Sequence, residues 1–166
     1  SRKMVMLSLN NEINLYKGRS CFLICSGPSF NLLDSSLLNS PGILTMGVNN
    51  SVSTYRPNLW TSVDPPNRFL KSIWFDPTIT KFIWEGHKKS YIYDNESKLF
   101  LTTKVRDCPN IIFYKRNSDF SVDTFLLGKS VNWGGRKEHG GCRSVMLSAI
   151  KILYFNTIHV LKSAFV

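Results

Sequence analysis

The sequence predicts an α/β fold: a mostly parallel sheet flanked by helices, with an irregular, lid-like insertion. Three observations carry this. Short apolar runs at 20–25, 43–48 and 59–63 each stop at turn or polar residues, and helix-capable segments separate them. That alternation is the βαβαβ pattern of a parallel sheet. A strongly apolar helix followed by one more strand closes the chain. With 166 residues, 43% hydrophobic and 13% aromatic, the chain is expected to form one domain over 1–166 with a packed core.

The elements follow in order. Residues 20–25 form a buried strand that runs into Gly27-Pro28-Ser29. A short helix is expected over 31–38, its apolar side carrying Phe30, Leu33 and Leu37, until Ser40-Pro41-Gly42 breaks it. The second strand, 43–48, ends in Asn49-Asn50-Ser51, and the third, 59–63, stops at Asp64-Pro65-Pro66. Residues 69–74 read as helix, 81–84 and 90–93 as short strands or irregular segments, and 110–114 as a better strand. From about 85 to 140 the chain is polar, rich in lysine and aromatics, and weakly periodic, which predicts an insertion over the loop edge. Gly140-Gly141-Cys142-Arg143-Ser144 then opens a helix whose apolar face is Val145, Leu147, Ala149, Ile150, Leu153 and Tyr154, and 158–161 is the last strand. Right-handed crossovers put the loops after the strands along one edge of the sheet.

Bulk chemistry narrows the function. A net charge of +10, from 21 Lys and Arg against 11 Asp and Glu, favours anionic partners: nucleotide phosphates, nucleic acid or acidic glycans. The basic residues are scattered, and no zinc finger, RNP-type aromatic motif or basic heptad helix marks a dedicated nucleic-acid module. No apolar run reaches the roughly 20 residues of a membrane helix, and SRKMVMLSLNNEINLY has no signal-peptide core, so a cytoplasmic location is expected. Cys21, Cys25, Cys108 and Cys142 lack zinc spacing and read as reduced, mostly buried thiols.

Ligands of open parallel sheets bind beyond the carboxyl ends of the strands. Those ends carry Ser26-Gly27-Pro28-Ser29, Asn49-Asn50 and Asp64. In that sense the predicted sheet is Rossmann-like, although the chain has neither G-x-G-x-x-G nor a Walker motif. Gly27 lets a backbone approach an anion, Pro28 presets the turn, and Ser29 caps the following helix or donates to a phosphate. Asn49 and Asn50 each supply a donor and an acceptor to a base, ribose or phosphate. Asp64 offers a carboxylate to a ribose hydroxyl, a metal or an acceptor proton. Gly141, Cys142, Arg143 and Ser144 form a second anion-binding helix start, with His139 just upstream as the acid–base histidine. His87, in a charged loop, and His159, in a strand, read as packing residues. Gly-Pro-Ser is also a common turn, and Asn-Asn-Ser a common cap.

In this order the pieces CFLICSGPSF (21–30), TMGVNN (45–50), WTSVD (60–64) and GGCRSVMLSAIKILYFNTIHVL (140–161) resemble glycosyltransferase family 42, the small bacterial sialyltransferases. They also resemble the related MptE-like group, which includes 6-hydroxymethylpterin pyrophosphokinases and phage-encoded proteins. The first resemblance implies a CMP-sugar donor and transfer of its sugar to an acceptor hydroxyl without a metal. Gly27, Pro28 and Ser29 would lie near the donor phosphate and Asn49 at the nucleotide, with Gly141, Cys142 and Arg143 at the family's small-residue turn. The second resemblance implies ATP and Mg²⁺, with Asp64 on the metal side. At the end of the chain Lys162 and Ala164 stand where both groups have glycine and aspartate. Three readings follow: a glycosyltransferase with His139 or Asp64 as base and Arg136 or Arg143 at the departing phosphate; an ATP-dependent pyrophosphoryl or phosphoryl transferase; or a basic, non-catalytic binding protein on a decayed transferase fold. The partners expected are a nucleotide-sugar and a glycan or other acceptor, and the phage-encoded branch would place them in an infected bacterial host.

Overall fold

The structure is a computed structural model, and it describes Tyr16, residues 18–114 and residues 145–155. Seven strands are described: β1 (Cys21–Ile24), β2 (Leu44–Val48), β3 (Leu59–Ser62), β4 (Thr80–Trp84), β5 (Tyr91–Asp94), β6 (Leu99–Lys104) and β7 (Ile111–Tyr114). Five of them form one sheet in the order β1-β2-β3-β4-β7, with every pair parallel. The helices are α1 (Ser51–Thr54), α2 (Lys71–Phe75) and α3 (Val145–Phe155).

The five-stranded sheet buries apolar residues on both faces, as a parallel sheet covered on two sides must. One face carries Leu23, Met46, Leu59, Phe82 and Ile112, which pack with Ala149, Ile152 and Leu153 of α3. The opposite face carries Trp60 and Ile83, which pack with Phe69, Ile73 and Trp74 from the β3–β4 connection and Ile92 from β5. The one-way strand order explains this division. Right-handed crossovers that always advance in the same direction all fall on the same face. The connections therefore share one side, and α3 covers the other.

Two sequence expectations change. The helix expected over 31–38 is instead two 3₁₀ turns, Pro28–Leu32 and Ser35–Asn39, broken by extended backbone at Leu33. Asp34 is the cause: its carboxylate accepts from the Ser36 N–H at 3.0 Å and the Ser36 hydroxyl at 2.6 Å. A side chain that binds local backbone competes with helix propagation. The insertion expected from about 85 is regular through residue 114. It makes the β5–β6 hairpin and returns β7 to the main sheet, beside a β4 that includes 81–84. Lys71 of α2 ties the hairpin down, with Nζ 2.9 Å from Asp94 and 2.9 Å from Glu96. Residues 115–140 and the strand expected at 158–161 lie outside the described residues.

Gly47 sets how closely α1 can approach the sheet. A Cβ there would lie 2.9 Å from both Pro57 Cγ and Ser51 Oγ. The bare backbone leaves room for Ser51 Oγ to accept the Val48 N–H at 2.9 Å, turning the chain sharply after β2.

At the amino-terminal end of the sheet, Lys81 is fully buried. Its ammonium donates to the carbonyls of Asp76 (2.6 Å), Ile79 (3.1 Å) and Pro109 (2.9 Å), clamping the loops that enter β4 and β7. Burial pulls its pKa down from 10.5 to about 8. Between those values the unfolded chain holds a proton that the folded chain has released, so stability rises with pH. Relative to Lys81→Met, the wild type is expected to gain about 3 kcal/mol between pH 8 and 10.5. Urea titrations of both proteins across that range check it, and parallel pH profiles would refute it. The comparison cancels the opposing effect of buried Cys21, whose thiol burial pushes up to about 12.

Candidate functional site at the carboxyl edge of the sheet

The carboxyl ends of β1 to β4 each deliver polar groups to the same edge. Neighbouring parallel strands lie about 4.8 Å apart, so four ends span roughly 14 Å, the scale of a nucleotide with its phosphates.

Asn49, after β2, is held most firmly. Its backbone is left-handed, with φ 49°. Its N–H donates to Thr61 O at 3.1 Å, and its carbonyl accepts from the indole N–H of Trp60 at 2.9 Å. The side-chain oxygen accepts from Ser62 Oγ at 2.9 Å. With that oxygen occupied, the carboxamide is oriented and its NH₂ is the group left to offer. Asparagine tolerates this backbone better than most residues, which accounts for its place at the turn. Asn50, next in the chain, is exposed and precedes α1 without a side-chain cap.

Beyond β1, the reading of Gly27, Pro28 and Ser29 is corrected in one respect. Gly27 has φ −72°, and the turn it opens is five residues of 3₁₀ helix, with no side-chain cap. Its conformation is open to any residue, and so short a turn carries little dipole, so the helix-start argument for anion binding does not apply here. Ser29 is exposed, and Ser26 Oγ lies 3.5 Å from Val48 O.

Beyond β3, the Asp64 N–H donates to Ser62 Oγ at 3.1 Å, so Ser62 joins Asn49 to Asp64. The Asp64 carboxylate is 34% exposed and pairs with Arg68 at 3.3 Å. Beyond β4 comes His87, set aside in the sequence as a packing residue. Its Nε2 lies 3.0 Å from Val63 O, and its ring stands edge-on to Trp84, 5.1 Å between centroids. A carbonyl only accepts, so Nε2 carries the proton and the neutral ring keeps its lone pair on Nδ1. His87 follows an apolar run, KFIWEGH, just as Asn49 and Asp64 follow theirs. The rule that found those two would have found His87 had 81–84 been read as a strand of the main sheet.

His139, Gly141, Cys142, Arg143 and Ser144 lie outside the described residues. Among the described residues there is no group of three or more His, Cys, Asp or Glu that could hold a metal. No described helix is long and apolar enough to cross a membrane. Compared with protein-family models, with curated proteins and with solved structures, the chain shows no significant match.

Proposed function

We propose that the chain is a glycosyltransferase-like protein of Rossmann-like fold that binds a nucleotide-sugar along this edge and transfers the sugar to an acceptor hydroxyl. The observation that carries the reading is the Asn49–Ser62–Asp64 chain beside His87, on adjacent parallel strand ends. The oriented Asn49 amide serves the base or ribose, and the Gly27–Ser29 turn lies toward the phosphates. His87 accepts the acceptor proton at Nδ1 while Nε2–H stays on Val63 O, a better base than Asp64, whose carboxylate is engaged by Arg68. The cations Arg136 and Arg143 keep the role expected of them at the departing phosphate, and His87 takes the role of base expected of His139. No metal is required in this reading.

Calorimetric titration with CMP, UDP and ATP tests it. Binding of a pyrimidine nucleotide is expected, weakened about tenfold in Asn49→Ala, the loss of one well-placed hydrogen bond. Failure of every nucleotide to bind would end the proposal. Mg²⁺-dependent ATP consumption abolished in Asp64→Ala would replace it with pyrophosphoryl transfer, using the carboxylate at the end of β3.

A further inference from the structure

We propose that the outward face of the β5–β6 hairpin is a binding surface for single-stranded nucleic acid. Tyr91 pairs with Lys104 and Tyr93 with Phe100 across the hairpin, with a register shift between the two pairs, and each pair's side chains meet on the side opposite Ile92. Ile92, between the two tyrosines, points the other way and is fully buried in the core. The outward aromatics are not packed away: Tyr91 is 47% and Phe100 62% exposed. Phe100 and Tyr93 stand edge to face at 5.1 Å, and Lys104 Nζ lies 5.2 Å over the Tyr91 ring.

Charge identifies the occupant. Every acidic residue of the hairpin and its following turn is already paired. Asp94 and Glu96 are both held by Lys71 at 2.9 Å, and Asp107 lies 3.6 Å from Arg106. Within the hairpin, Lys98 and Lys104 form no ion pair among the described residues. The surface is therefore exposed rings among uncompensated cations, on a chain of net charge +10. A partner that meets both features carries flat apolar faces and regularly spaced negative charges. Unpaired bases on a phosphate backbone do so: the bases stack on Tyr91 and Phe100, and the phosphates meet the lysines. An acidic peptide meets the charge but leaves the rings without stacking partners.

Fluorescence anisotropy with a fluorescein-labelled twelve-residue oligothymidylate, at several salt concentrations, tests the proposal, with heparin and poly-glutamate as ring-free polyanions. Saturable binding is expected. The double variant Tyr91→Ser/Phe100→Ser should weaken it at least tenfold while leaving heparin binding within about twofold. Lys104→Gln should lower the slope of log affinity against log salt by about one. Both aromatic side chains are largely exposed, so circular dichroism should show the fold retained, with the melting temperature lowered only by the loss of the two ring contacts. No binding, poly-glutamate binding as tight as the oligonucleotide, or an aromatic variant indistinguishable from wild type would overturn it. Nucleotide titration at the sheet edge is unaffected by either result, since the hairpin surface shares no residue with it.

Discussion

Trp60→Ala is expected to destabilise the protein by about 3–5 kcal/mol, enough to unfold a marginally stable domain. The indole is completely buried in β3 and packs edge-on against Phe69 at 4.9 Å and Trp74 at 5.3 Å. Removing it opens a cavity where the sheet meets the β3–β4 connection, and neighbours fixed on strand and helix cannot close it. Trp60→Phe separates packing from polarity. It keeps a ring in the cluster but leaves the Asn49 carbonyl without the 2.9 Å indole N–H, costing about 1 kcal/mol plus the lost volume. Because that bond holds Asn49 in its left-handed turn, the phenylalanine variant should also lose nucleotide affinity although the side chain is remote from solvent. Guanidinium unfolding of both variants checks the stabilities. An alanine variant within 1 kcal/mol of wild type would refute the packing account.

The largest functional effect is expected at His87. His87→Gln should lower sugar transfer or donor hydrolysis by roughly 10²–10⁴-fold, the usual contribution of a positioned general base. Nucleotide affinity should stay within about twofold. Glutamine can still donate an N–H toward Val63 O, so it preserves the contact that orients the ring while removing the basic nitrogen. A glutamine variant with wild-type turnover would return the role of base to His139 or Asp64.

Both variants sit on features of different legibility. The three apolar runs ending at Ser26-Gly27, Asn49 and Asp64 are readable because parallel strands buried on both faces are continuously apolar, and the polar residues after them stand out. What misled was local competition. Residues 31–38 have helical spacing, yet Asp34 and Ser36 bond to each other and split the segment into two turns. Lysine at 81 made a central strand look irregular, because a charge in a strand usually marks solvent. Here three backbone carbonyls replace the water.

The sequence by itself determined the α/β class, the first three strands and the polar groups at their ends, since burial and turn chemistry are local properties written in the order of residues. Only the tertiary structure decided the one-way order β1-β2-β3-β4-β7, the place of β4 and β7 in that sheet, and the arrival of His87 at the same edge as Asn49 and Asp64. Those depend on pairing between distant segments and on which side each crossover falls. The spacing of residues along the chain does not encode either one.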